Sequence, residues 1–390
     1  MDFELNDELK MFQRALRDFC ERELKPHAND AHENGTLNWA AINKMPTLGL
    51  TGLQVDEAHG GIAIDTLGAS IAIEEIGRVC GSTGLTISAH NGLGCGPIMK
   101  WGMPELQDKW LPMLTSGEYL GALALTEPQA GTDLLNGVTT RATREGDDWL
   151  INGTKAWITN AAWAPVISVL VRTDAEAGSR GFSLILVEAD REGFTVHPPE
   201  KKMGLNASKS HMLTFENVRV PVSNTLGEIG EGFYYVMQTL DSGRVSIGAL
   251  ALGLAQGAYE AMVQYALERT AFGEPIANKQ LIQEKIARAA MEIEAARTLV
   301  YKAAWTKDQG KDYTRIASIA KLKASLVAET VSYDAIQVHG SAGYSRDYPV
   351  ERIYRDQRLM QIGEGTNEIQ HIVIARQVLK EFQSGTLLSV

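Results

Sequence analysis

Val166-Ile167-Ser168-Val169-Leu170-Val171 is the stretch that decides the fold. It is almost wholly β-branched or aliphatic and too short for an ordinary helix, so it reads as a buried strand. Working outward, the same texture returns at Trp149-Leu150-Ile151 before Asn152-Gly153, at Phe182-Ser183-Leu184-Ile185-Leu186-Val187 and at Met212-Leu213-Thr214-Phe215. From near Gly121 to Pro221 such runs alternate with turn signals roughly every 8 to 12 residues, which predicts a small antiparallel sandwich or barrel. No helical pattern between them is long enough for a parallel crossover.

Both flanks are helical. Asn6 or Asp7 caps a segment with Leu9, Phe12, Leu16 and Phe19 on one face, Pro26 ends it, and Thr66 to Val79 is a second candidate after the break at Gly60-Gly61. Asn91-Gly92-Leu93-Gly94-Cys95-Gly96-Pro97 is not a dinucleotide loop, because Pro97 replaces the third glycine and no strand precedes it; it reads as a helix-to-helix turn. From about Glu231 helices return: a small-residue stretch around Gly248, Ala249, Ala251, Gly253, Ala255 and Ala258, then Leu281 to Asp308, Tyr313 to Val338 and Thr366 to Phe382. The expected class is α+β, with a helical domain over 1–118, a β domain over 119–228 and a helical domain over 229–390.

Composition narrows the function. The chain has 390 residues and a net charge of −11, which argues against a nucleic-acid partner because a phosphate-backbone binder needs a basic face. Cys20, Cys80 and Cys95 are odd in number and scattered, and nothing is spaced like a metal site, so neither a disulfide framework nor a metal is expected. The start lacks a signal or transit pattern and no apolar run is long enough to span a membrane, which makes the cytoplasm the expected compartment.

Near the C-terminus stands Met360-Gln361-Ile362-Gly363-Glu364-Gly365-Thr366-Asn367-Glu368-Ile369-Gln370. Glycines on both sides of Glu364 let the backbone pass close to a ligand, and the helical spacing that follows places the carboxylate in a loop before a helix. That suits a base in a tight cleft; a surface turn is the plain alternative. Elsewhere, Leu125-Thr126-Glu127-Pro128 leads through Gly131-Thr132 into a loop that can present backbone N–H groups and hydroxyls, or is merely a strand-end turn. Trp157-Ile158-Thr159 reads as an exposed strand end, although a Trp is as often core. Asp241 and Arg244 are spaced as a surface i, i+3 ion pair, and Arg269 closes a helix, where a cation favours the macrodipole.

Taken in order, Leu125-Thr126-Glu127-Pro128 with Gly131-Thr132-Asp133, Trp157-Ile158-Thr159-Asn160, Arg269-Thr270-Ala271-Phe272-Gly273, Gln337-Val338-His339-Gly340 with Ala342-Gly343-Tyr344, and Gly363-Glu364-Gly365-Thr366 resemble the acyl-CoA dehydrogenase family of flavoenzymes along essentially the whole chain. The resemblance implies an α domain, a central β-barrel and a C-terminal four-helix bundle. It implies Glu364 as the catalytic base, removing the α-proton of a saturated acyl-CoA while the β-hydrogen leaves as hydride to N5 of FAD, with the Glu364 N–H and a ribityl hydroxyl holding the thioester carbonyl. It puts FAD against Leu125, Thr126, Gly131, Thr132, Trp157, Ile158, Thr159, Thr366 and Glu368, and against Arg269, Phe272, Gln280, Gln337, Val338, Gly340 and Ser341 of a neighbouring subunit. Thr132, Asp241, Arg244 and Gly365 fall to the substrate, and His339 to packing. A homotetramer built as a dimer of dimers and an electron-transfer flavoprotein as acceptor follow, with an acyl-CoA oxidase or a catalytically silent subunit as alternatives. The chain departs from the family's common residues at Leu123, Gln129, Thr132, Ser341 and Gly363, where Tyr, Gly, Ser, Gly and Tyr are frequent. A minority of the family carries its base at the position of Gly243, which has no side chain.

Overall fold

The computed structural model describes residues 4–385. The first part is helical: α1 (Asp7–Phe19), α2 (Thr66–Val79), α3 (Gly81–Ala89) and α4 (Pro104–Thr115), with shorter turns between. Asn6 caps α1, its Oδ1 accepting the Leu9 N–H at 2.8 Å, so of the two expected caps it is the one used. His90–Cys95 is not a turn as expected: it is a π-helical stretch running straight from α3 into the helix Gly96–Trp101. Gly94 Cα and Gly121 are in such close contact that a Cβ on Gly94 would meet Gly121 Cα at 2.4 Å, and this packing holds the π stretch against the first strand.

The strands are β1 (Ala122–Ala124), β2 (Arg141–Glu145), β3 (Asp148–Thr159), β4 (Val166–Arg172), β5 (Phe182–Glu188), β6 (Phe194–Pro199), β7 (Ser210–Pro221) and β8 (Thr225–Leu226). They form one sheet in the order β6-β7-β3-β2-β4-β5-β8, with β1 added on β4. The sheet is mixed rather than purely antiparallel: β1 runs parallel to β4, Ala122 opposite Ile167, and β2 meets β4 through one parallel bridge. The chain returns to β4 by way of the antiparallel β2–β3 pair, so no crossover helix is needed. Asn152-Gly153 is also not the expected turn. It lies inside β3 as a bulge, where the register on β7 slips between Ile151 and Gly153; Gly153 has φ 150°, and a Cβ there would meet Thr140 Oγ1 at 2.4 Å.

Four helices make the last unit: α5 (Gly232–Glu268), α6 (Gln280–Asp308), α7 (Thr314–His339) and α9 (Asn367–Gln383), with α8 (Pro349–Gln357) beside them. The small residues of α5 allow close approach, since a Cβ on Gly253 would lie 2.3 Å from the Glu74 carbonyl of α2 and one on Gly257 2.1 Å from that of Arg78. One apolar core therefore runs continuously from α1 and α2 through α5 to α7, joining Leu16, Ile76, Leu250 and Val331. The sheet has its own core around Ile151, Val169, Ile185 and Val220.

Candidate active site

The loop carrying Glu364 is built by a tight turn and a cap. The Ile362 and Gly363 N–H groups both donate to the Leu359 carbonyl, at 2.9 and 2.8 Å, which brings the chain round; Thr366 then caps α9, its hydroxyl accepting the Ile369 N–H at 3.4 Å. Between them Glu364 and Gly365 stand at φ 51° and 91°, a left-handed pair that costs a non-glycine residue about 1–2 kcal/mol. Such strain at a single carboxylate-bearing residue marks a place the fold holds deliberately. The residue is half-buried, yet Oε2 is shut off from solvent and has no hydrogen-bond partner among the described residues. Burial pushes the carboxyl up to about 7, against the opposing positive charges of Lys321 and Arg244. Among the described residues no backbone carbonyl accepts the Glu364 N–H. One face of the carboxylate rests on α5, where Gly243 leaves the room it occupies.

Asp241 and Arg244 form an ion pair, but not the surface pair their spacing suggests. Arg244 is buried, also donates to Ser318 Oγ at 3.4 Å, and Asp241 Oδ2 accepts from Thr314 Oγ1 at 3.0 Å, so the pair ties α5 to the start of α7. Burial, only partly opposed by Arg244, holds the Asp241 carboxyl above its ordinary range.

A second group gathers at the ends of β1 and β3. The Ala156 N–H donates to the Thr126 carbonyl at 2.8 Å, and β3 slips register again between Lys155 and Ile158. The slip turns Trp157 outward at φ 63°, leaving the residue 57% exposed. The hydroxyls of Thr126, Thr132 and Thr159 are unused by the described protein groups, and Gly131 has open space around it. An exposed aromatic residue and free hydroxyls on adjoining segments suit a flat polar ring system such as flavin. Leu125 and Ile158 point into apolar cores, so only their backbone can face a cofactor.

Two residues that sequence reasoning passed over hold this loop. Lys155 has no exposed surface, and its ammonium donates to the Leu125 carbonyl at 2.9 Å and to Glu127 Oε1 at 3.0 Å. Glu127 also accepts from the Thr139 and Thr140 N–H groups at 2.8 and 2.9 Å. Burial alone would raise Glu127, but Lys155 and these donors hold it well below the usual carboxylate range, while burial lowers Lys155.

The third group is apart from both. Arg269 caps α5, Phe272 is at φ 56° in the hairpin Thr270–Ala271 with Glu274–Pro275, and Gln280 opens α6; all three are exposed, Phe272 by 96%. Gln337, Gly340 and Ser341 are likewise exposed at the end of α7, whereas Val338 is buried in the helical core. His339 stacks on Tyr265 at 4.2 Å and its Nδ1 meets the Ala335 carbonyl at 2.7 Å, as a packing residue does. Among the described residues of one chain no hydrogen bond or ion pair joins this group to Glu364.

An open concavity of about 610 Å³ between Lys109, Trp110 and Glu188–Glu192 contains none of these residues. A smaller void of about 30 Å³ adjoins the Gly243 turn, lined by Ser242 and Ser246 of α5, by Ala69 and Ile73 of α2, and by Ser88 and Asn91.

Comparison with known proteins identifies the family. The models of the acyl-CoA dehydrogenase N-terminal, middle and C-terminal domains match residues 6–118, 122–218 and 230–379. The mitochondrial short-chain specific acyl-CoA dehydrogenase of Mus musculus is 42% identical over 98% of this chain and 92% of its own. Butyryl-CoA dehydrogenase from Megasphaera elsdenii superposes with a TM-score of 0.94 at 40% identity, covering 97% of this chain and 100% of that one. An acyl-CoA dehydrogenase from Bacillus anthracis complexed with FAD superposes with a TM-score of 0.92 at 35% identity, over 98% of this chain and 69% of that one. With all three domain models matched in order, and the mouse and Megasphaera relatives covered over 92% and 100% of their length, the chain belongs to the acyl-CoA dehydrogenase family.

Proposed function

We propose that this acyl-CoA dehydrogenase converts a short saturated acyl-CoA to the trans-2-enoyl-CoA, with Glu364 as the base. The observation that carries the reading is the Glu364 carboxylate itself: strained, shielded, without a partner, and raised to about 7. A thioester α-proton is too weakly acidic for an ordinary carboxylate, so the base must be made stronger and the developing enolate must be held. Desolvation does the first. The Glu364 N–H, without an acceptor among the described residues, is available for the second. Bound FAD supplies the hydride acceptor. Trp157 offers a face against which its ring system can lie, and Thr126, Thr132 and Thr159 offer hydrogen bonds at its polar edges. Arg244, locked by Asp241, brings a fixed positive charge close to Glu364.

A short acyl group is supported by the butyryl-CoA and short-chain relatives. An electron-transfer flavoprotein as acceptor accords with family membership. The exposed Phe272, Leu281 and Tyr344 support an assembly of several copies, for which we propose a dimer of dimers. Three buried free cysteines accord with a reducing compartment, here taken as the cytoplasm, and among the described residues no helix is long and apolar enough to cross a membrane.

The test is anaerobic mixing of the purified yellow protein with butyryl-CoA. Bleaching of the flavin in wild type and its loss in Glu364→Gln, with FAD still bound, is the expected result; bleaching that survives the substitution would remove Glu364 from the role. Arg269→Ala should lose FAD and tetramer together, and a monomer keeping stoichiometric FAD through gel filtration would contradict the shared-site assembly.

A further inference from the structure

Lys321 lies in α7 with no exposed surface, and none of its hydrogen bonds goes to a carboxylate. Its Nζ donates to the Gly365 carbonyl at 2.8 Å and to Asn367 Oδ1 at 3.1 Å. Those acceptors bracket the turn that follows Glu364. The Gly365 carbonyl also receives Gln370 Nε2 at 2.9 Å, and Asn367 Oδ1 also receives Ser325 Oγ at 3.1 Å, so the ammonium is the centre of a small network that fastens the loop to α7. A buried cation is expensive to keep, and neutral donors would serve a purely structural clamp. The groups whose charge reaches Lys321 are Glu364 and Glu368 from the loop and the start of α9, and Arg244 from α5; on Glu364 the positive charges acting are Lys321 and Arg244.

We propose that Lys321 is a positioning residue for the reaction: its hydrogen bonds hold Glu364 in the left-handed loop, and its positive charge sets how basic the carboxylate is. This rests on Glu364 being the base. The ammonium is itself lowered to about 8 by burial, so it carries charge across the range in which Glu364 titrates near 7. Together with Arg244 it keeps the carboxylate ionised at a pH where burial alone would leave it protonated.

The experiment uses the full-length, FAD-loaded enzyme and anaerobic flavin reduction by butyryl-CoA between pH 5 and 9. Lys321→Gln keeps a donor and removes the charge. It is expected to raise the pH midpoint of reduction by about one unit, as loss of a nearby opposite charge does, with FAD content unchanged. Gln370→Leu removes a loop bond and no charge, so it is expected to slow reduction with the midpoint in place. If Lys321→Gln does not fold, Asn367→Asp neutralises the ammonium where it stands and should raise the midpoint likewise. A midpoint equal to wild type in whichever of these two charge variants folds overturns the proposal. Glu364→Gln, run beside them, separates the two readings: if it still reduces the flavin, the base assignment has failed, and the proposal for Lys321 falls with it.

Discussion

A Cβ on Gly243 would sit 1.7 Å from Glu364 Oε2, so α5 and the candidate base fit together only because position 243 has no side chain. Gly243→Ala sets helix propensity against this contact. Alanine gains about 1 kcal/mol in a helix interior, and the atom in its way is the free end of a flexible side chain. The carboxylate is therefore expected to swing aside while the helix stays. Flavin reduction by butyryl-CoA should fall by roughly 10²-fold, as for a misplaced reacting group, with Tm equal to or above wild type. A near-normal rate would show that the carboxylate is not needed where it now stands.

Glu364→Gln should abolish flavin reduction, because losing a general base costs on the order of 10² to 10⁴ where another group can help and more where none can. It should also stabilise the protein in a pH-dependent way. The folded carboxyl titrates near 7 against about 4.5 when unfolded, so ionisation favours the unfolded chain as pH rises between those values. The variant's advantage should be near zero below pH 4.5 and reach about 3 kcal/mol above pH 7. Denaturation of both proteins at pH 5 and pH 8 checks this, and an equal difference at the two values would contradict it. For the same reason wild-type reduction should rise with pH through about 7.

Lys155→Met leaves Glu127 buried with its charge uncompensated. Removing one partner of such a pair costs about 3–5 kcal/mol, which denaturant unfolding would read. Because the ammonium also holds the Leu125 carbonyl, FAD should wash out of the variant on gel filtration while wild type stays yellow. Full FAD retention would detach the pair from the cofactor loop.

Gly363→Tyr probes the acyl group. The nearest atoms to a Cβ at 363 would be those of Leu359, at 3.6 Å, an ordinary contact, so the loop can accept a side chain. Tyrosine would narrow the space beside the base. The expected result is a larger loss of kcat/KM for a branched acyl-CoA than for a straight one of equal carbon count, by roughly 1–3 kcal/mol. Equal losses on both would mean a general defect of the loop.

What the sequence determined by itself is whatever depends on local pattern. The strand character of Val166 to Val171, the helices on either side, the loop before α9 that carries Glu364, and the exposed end of β3 at Trp157 were all legible, because β-branched runs, helical spacing and paired glycines constrain the backbone within a few residues. What only the tertiary structure decided is whatever depends on which segments meet. Asn152-Gly153 carries a turn signal, yet β7 and Thr140 on either side draw it into a strand as a bulge. Asp241 and Arg244 have surface spacing, yet α7 covers them. Lys155 and Lys321 are unremarkable letters in the chain, and burial makes each a fixed charge under a loop more than 25 residues away in sequence from Lys155, and more than 40 from Lys321. The pKa of Glu364 belongs to this second class: it is set by the water that packing removes and by two cations from other helices, neither of which a glycine-flanked glutamate announces.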